Sequence, residues 1–190
     1  KELDRSVVNV SQIRQVIQAM KTAVETQIFP ARKETPKTLI FAKTDSHADD
    51  IINILREVYG QGNAFCKKVT YRAEEDTDSI LSSFRNDYNP RIAVTVDMIA
   101  TGTDIKPVEI VMFMRSVKSR SYFEQMKGSG VRVCNPADLQ AVTPDAKVKD
   151  HFVIVDAVGV CERDKTDSRP MDTKKSVPLD KLLQAVSLGN

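Results

Sequence analysis

RIAVTVDMIATGTDIKPVEIVMFMRSVKSRSYFEQMKGSGVRV, residues Arg91 to Val133, decides the fold. Its run Ile92 to Val96 has the length and β-branched content of a buried strand, and Glu109 to Met114 reads as another. Each apolar run leads to a short polar signature: Thr101-Gly102-Thr103-Asp104 first, then Gln125 to Arg132 with its two glycines. Groups leaving the C-terminal ends of parallel strands form the crevice where α/β sheets bind ligands. A small Gly-containing turn followed by an acid, then a helix carrying a Gln and a late Arg, suits a phosphorylated ligand.

Upstream of this stretch the pattern alternates. Asn9 or Ser11 is placed to cap a helix with Val10, Ile13, Val16, Ile17, Met20 and Val24 at helical spacing, ending before Pro30. Thr38 to Ala42 reads as a strand. Asp45 or Ser46 then caps a helix to about Tyr59, its inner face Ala48, Ile51, Ile52, Leu55 and Val58. Phe65 to Tyr71 reads as a second strand, and Asp76 or Thr77 caps a helix carrying Ile80, Leu81 and Phe84. Downstream, a short helix is expected between the two runs of the central stretch, and Phe152 to Val155 is the last strand.

Such alternation predicts an α/β fold: a three-layer αβα domain on a mostly parallel sheet, with flanking helices. Right-handed crossovers are expected to gather both polar signatures on one edge of that sheet. The chain divides into 1–36, a helix and connector assigned to a preceding domain; 37–160, the α/β domain; 161–176, a charged linker; and 177–190. The last piece reads as the start of a following helical domain, with Pro178 in its first turn.

Composition narrows the function classes. At 190 residues, 41% hydrophobic and 28% charged, the chain can fill one soluble core. No apolar run approaches the ~20 residues of a membrane span, so no membrane partner is expected. KELDRSVVNV has neither Met nor a signal pattern and reads as a cut from a longer chain. Cys66, Cys134 and Cys161 are odd in number and widely spaced, and His47 and His151 are isolated. That pattern argues against a disulfide framework and a metal site, and for a reduced, cytoplasmic chain. A net charge of +2 neither requires nor excludes nucleic acid, because a basic strip can hide in a balanced total.

The candidate residues each have two explanations. Asp104 can accept from a ribose hydroxyl, or be an ordinary turn acid behind Gly102. Arg132 can reach phosphate oxygens with its planar fork, or be a surface arginine. Gln125 can bridge the two signatures or be an exposed helix residue. Thr44 and Thr95, at strand ends, can donate to a nucleic-acid backbone, or be threonines at home in a sheet. Lys43, Arg115, Lys118, Arg120 and Lys127 form either a basic rim or a solvated face. The pattern G-x-x-x-x-G-K-S/T is absent, so no phosphate cradle of that kind is present and turnover by this chain alone is not expected.

With these motifs in view, the chain resembles the second RecA-like motor domain of superfamily-two helicases. TLIFAKTDSHADDI (Thr38 to Ile51) is similar to motif IV, IAVTVDMIATGTDI (Ile92 to Ile105) to motif V, and QMKGSGVR (Gln125 to Arg132) to motif VI. Phe152 to Gly159 and the LDKLLQAVSLG tail are similar to the restriction, or motor, subunit of type I restriction enzymes. The resemblance implies an ATP-driven translocase on double-stranded DNA, with ATP between this domain and a preceding RecA-like domain that also holds most of the Mg2+ contacts. Modification and specificity subunits are the further partners it implies. Gly102, Asp104, Gln125, Gly128 and Arg132 would then face the nucleotide, with Arg132 the catalytic arginine at the γ-phosphate. Thr44, Thr95 and Thr101 would lie along the DNA. One departure stands out: Ser129 occupies the position of the first motif VI arginine, where a hydroxyl supplies no positive charge. Another superfamily-two helicase, or a non-catalytic module of helicase descent, is the alternative.

Overall fold

The computed structural model describes residues 9–72, 75–97, 104–163 and 177–178. In chain order these form α1 (Val10–Ala23), a π-helical turn (Val24–Ile28), β1 (Thr38–Phe41), α2 (Asp45–Tyr59), β2 (Cys66–Val69) and α3 (Thr77–Asn86). Then come β3 (Ile92–Thr95), β4 (Ile110–Phe113), α4 (Arg120–Val131), α5 (Pro136–Val142), β5 (Val153–Asp156), α6 (Val160–Arg163) and β6 (Val177–Pro178). The sheet order is β2-β3-β1-β4-β5-β6, and every described pairing is parallel.

Strand periodicity builds the two apolar layers. In β1, β3 and β4 every residue is buried, as expected of central parallel strands covered on both faces. Ile40, Val94, Ile110 and Met112 point to the layer filled by α1 and α2 through Ile13, Ile17, Ile51 and Leu55. Leu39, Phe41, Val111 and Phe113 point the other way, to α3 and α4 through Ile80, Phe84, Phe123 and Met126. Phe113 is the hub of that second layer, with ring centroids 5.4 Å from Phe41 and 5.1 Å from Phe123. β2 is an edge strand, and its central Lys67 and Lys68 are the charges that discourage further strand addition.

Caps set the helix limits. Thr44, not Asp45 or Ser46, caps α2: its Oγ1 accepts from the His47 N–H at 3.2 Å. Asp45 is instead drawn across to β2, accepting from Thr70 Oγ1 and Lys68 Nζ at 2.5 and 3.1 Å. Gly60, at φ +60, ends α2 in the left-handed conformation that other residues rarely adopt. Asn9 and Asp76 cap α1 and α3 by accepting from Ser11 and Ser79 N–H groups, each at 2.9 Å. α5 is absent from the expectation, although Asn135 as cap and Pro136 in the first turn are its sequence signal.

The first helix and its connector are fastened to this domain rather than set apart from it. α1 buries Ile13, Val16, Ile17 and Met20 in the same layer as α2. Arg32 donates both arms of its guanidinium to Glu109, at 2.9 and 2.7 Å, and Glu109 is 1% exposed. The Lys33 and Glu34 N–H groups donate to Asp145 Oδ2 at 2.7 and 3.0 Å, and Arg91 donates twice to the Thr35 carbonyl. The packing therefore runs on through residue 37 without a break at the expected boundary.

The chain beyond β5 departs from expectation at two points, the first being α6, helical where the charged linker was expected to begin. Val177 and Pro178, read as the first turn of a helix, pair with Val155 and Asp156 as a sixth parallel strand. The rest of the expected linker and tail, 164–176 and 179–190, lies outside the described residues. So does 98–103, part of the stretch in which the short helix was expected; residues 104–109 are not helical.

Candidate functional site

α4 carries the second signature, and its direction decides where the site lies. Ser119 caps it by accepting from the Tyr122 N–H at 3.3 Å, just beyond the C-terminal end of β4. The helix then runs back along the sheet, burying Phe123, Met126, Ser129 and Gly130. At its tail a Cβ on Gly130 would stand 2.5 Å from the Phe152 ring and 2.9 Å from Val111 Cγ2. Val111 is near the start of β4 and Phe152 immediately precedes β5. The tail of α4 is therefore pressed onto the N-terminal edge of the sheet, at a distance only glycine allows. A Cβ on Gly128, by contrast, meets nothing within 4 Å. Both glycines are helical, one for close approach and one facing open space.

Arg132 is the C-cap of α4, and its side chain is 60% exposed. Its Nε lies 3.6 Å from Asp104 Oδ1, so the two signatures meet through these residues. Lys106 Nζ is 3.9 Å from the other Asp104 oxygen. Behind them, Lys149 Nζ donates to the carbonyls of both Arg132 and Lys106, each at 2.8 Å. Burial lowers the Lys149 pKa to about 8, against the opposing pull of Cys134, Glu109 and Asp104. A cleft of about 700 Å³ adjoins the pair, lined in part by Arg85, Asp104, Lys106, Cys134, Asp138 and Val142.

Gln125, Gly128 and Arg132 follow one another at helical spacing, giving one outward stripe along α4. Gln125 is exposed and stands roughly 10 Å up the axis from Arg132. Ser129 points the other way and is 6% exposed. Thr101 and Gly102 lie outside the described residues.

The remaining predicted residues sit on the opposite, C-terminal edge. The two signatures do share an edge through Arg132 and Asp104, but it is the N-terminal edge rather than the C-terminal strand ends, because α4 carries its signature at its far end after crossing the sheet. Thr44 is exposed at the C-terminal edge, its hydroxyl capping α2 and lying 3.2 Å from Ser46 Oγ. Thr95 ends β3 but is 0% exposed, and its hydroxyl has no hydrogen-bond partner among the described residues. It is an interior residue, not one presented to a DNA backbone. Lys118, between β4 and α4, and Arg120, the first residue of α4, are exposed with Arg115 half-buried in the same connection, whereas Lys127 is engaged with Glu124 at 2.8 Å. Lys106 and Lys149 were not singled out in the sequence, and no motif or periodicity marks them.

Among the described residues, no group of three or more His, Cys, Asp or Glu could hold a metal ion. No helix among them is long and apolar enough to cross a membrane.

Comparison with known proteins identifies the family and the fold. Residues 12–134 match the model of the helicase conserved C-terminal domain. The chain is 30% identical over 161 residues to the type I restriction enzyme EcoKI endonuclease subunit of Escherichia coli strain K12, covering 80% of this chain and 13% of that protein. It is 25% identical over 154 residues to the Saccharomyces cerevisiae protein assigned as the ATP-dependent helicase IRC3, covering 81% of this chain and 19% of that one. The fragment structure assigned to an HsdR subunit of a type I restriction enzyme from Vibrio vulnificus YJ016 superposes with a TM-score of 0.63 at 21% identity. That match covers 90% of this chain and 33% of the other, and it establishes the RecA-like fold. The chain thus spans a small part of each of these relatives.

Proposed function

The chain belongs to the helicase conserved C-terminal domain family, and from that premise we propose that it is the second RecA-like motor domain of an ATP-dependent translocase on double-stranded DNA. The parent would be the motor subunit of a type I restriction enzyme, assembling with modification and specificity subunits in the cytoplasm. The facing of exposed Arg132 and Asp104 at the end of α4 carries this reading.

In it the pair forms half of an ATP site. Arg132 presents a delocalised positive charge to the phosphate oxygens of the substrate ATP, and Asp104 accepts from a ribose hydroxyl. Gly102, Gln125 and Gly128 border the same nucleotide, and Mg2+ is left to the preceding RecA-like domain. Charge supplied by an arginine finger is worth roughly 10³–10⁵ in related phosphoryl transfer. Because that charge arrives only when the two domains close, hydrolysis is tied to their movement, and this domain alone does not turn over ATP. Thr44, with the basic Arg115, Lys118 and Arg120, faces the DNA from the opposite edge, and Thr101 is a further DNA contact in this reading.

The test is ATP hydrolysis by the full-length parent protein with and without linear duplex DNA, beside Arg132→Ala. DNA-stimulated hydrolysis that falls at least a hundredfold in the variant supports the reading; a variant keeping more than a tenth of the rate removes the arginine from the mechanism. The likeness to the yeast helicase over 81% of the chain favours a second reading, another superfamily-two helicase. Stimulation by RNA in place of duplex DNA would select it.

A further inference from the structure

One side chain holds together the two chain segments that carry the nucleotide-facing pair. The Lys149 ammonium lies between the carbonyl oxygens of Arg132 and Lys106, donating to each at 2.8 Å. Arg132 sits where α4 ends, with extended backbone at φ −61 and ψ 132, so the helix no longer fixes its direction. Asp104 and Lys106 belong to a non-helical run ahead of β4. The direct contact between the charged side chains, at 3.6 Å and half exposed to water, is too weak to hold the two segments in place. The lysine's two bonds are charge-assisted and go to the main chain, which moves less than an exposed arginine tip.

We propose that Lys149 is a positioning residue for this site: by bridging the two carbonyls it sets where the Arg132 guanidinium stands relative to Asp104. It touches neither nucleotide nor reacting atoms. The proposal rests on the nucleotide-facing reading of the pair and adds to it the residue that preorganises it. Lys149→Met keeps the apolar stem and removes both donors, freeing Arg132 to sample orientations that do not meet a phosphate. The loss then falls on the chemical step rather than on ATP binding.

The experiment uses the full-length parent protein with linear duplex DNA and compares wild type, Lys149→Met, Lys149→Arg and Arg132→Ala. Lys149→Met is expected to lower kcat about tenfold or more with KM for ATP within twofold and Tm within about 3 °C. Lys149→Arg, which can still reach two carbonyls, is expected to recover most of the rate. A Lys149→Met kcat within twofold of wild type overturns the proposal. So does a loss that tracks a fall in Tm, or one that arginine does not relieve. If Arg132→Ala itself retains the rate, the nucleotide-facing reading fails instead, and that outcome is read independently of the lysine variants.

Discussion

Arg132 and Asp104 come from different elements, one ending α4 and one leading toward β4, yet their side chains meet at 3.6 Å. Both remain about half exposed, 60% and 49%, so the ion pair itself contributes less than about 1 kcal/mol. A pair this wet and this weakly held is cheap to open. Its groups can exchange each other for a ligand, which a buried salt bridge could not do without a large desolvation cost.

The two glycines of α4 should respond oppositely to alanine. At Gly128 nothing occupies the space, so alanine gains helix propensity, by ~1 kcal/mol, and Tm is expected to hold or rise. At Gly130 the new methyl meets Phe152 and Val111 at 2.5 and 2.9 Å, and overpacking costs ~1–3 kcal/mol. Thermal unfolding of the two variants checks this; equal shifts would mean that the tail of α4 does not sit on the sheet as described.

Restoring an arginine at position 129 should not restore a second phosphate contact. Ser129 is 6% exposed on the sheet side of α4, so Ser129→Arg must bury a guanidinium or unseat the helix. Lower Tm and no gain in DNA-stimulated ATP hydrolysis are expected. A rate increase at unchanged Tm would show that the position turns outward in the working enzyme.

Arg32→Ala should be far more damaging than breaking a surface pair. It leaves Glu109, 1% exposed, as an uncompensated buried carboxylate, an event that costs ~3–5 kcal/mol. Arg14→Ala breaks the exposed pair with Glu57 and should cost less than about 1 kcal/mol. Denaturant midpoints of the two variants measure the difference.

Stability should rise with pH from about 7 to 9. Burial, with Arg91 beside it, lowers the Lys37 pKa to about 7, and burial lowers that of Lys149 to about 8. Between those values and 10.5 the unfolded chain binds the protons that the folded chain has released, so stability increases with pH. Above 9 the trend is opposed, because burial pushes the Cys66 and Cys134 thiols up and the unfolded thiols ionise first. Melting curves at pH 7, 8 and 9 test the sign, and Lys37→Met should flatten the rise.

Much of the fold is legible because apolar spacing and caps are local. The strands around Ile40, Val94 and Met112, and the inner face of α2 through Ala48, Ile51 and Leu55, follow from periodicity alone. What the sequence hides is direction and distance. That α4 delivers Arg132 to the far edge of the sheet depends on how the helix crosses it, and that position 130 has room only for glycine depends on the Phe152 ring beneath it. Thr95 looks like a strand-end donor in one dimension and is fully enclosed in three. Lys149 carries no local pattern; only the meeting of two distant carbonyls gives it a role.

The stitching of residues 29–37 to the sheet also decides how force would enter this domain. Tension on the chain ahead of α1 first meets the apolar seat of that helix, then the Arg32–Glu109 fork, and then the Arg91 bonds to the Thr35 carbonyl. Only afterwards does it reach β1, which lies mid-sheet between β3 and β4. A pull along β1 loads its two hydrogen-bonded ladders in shear, many bonds at once, rather than peeling them from an edge. Traction from that side therefore displaces the sheet as a single body before it stretches any strand.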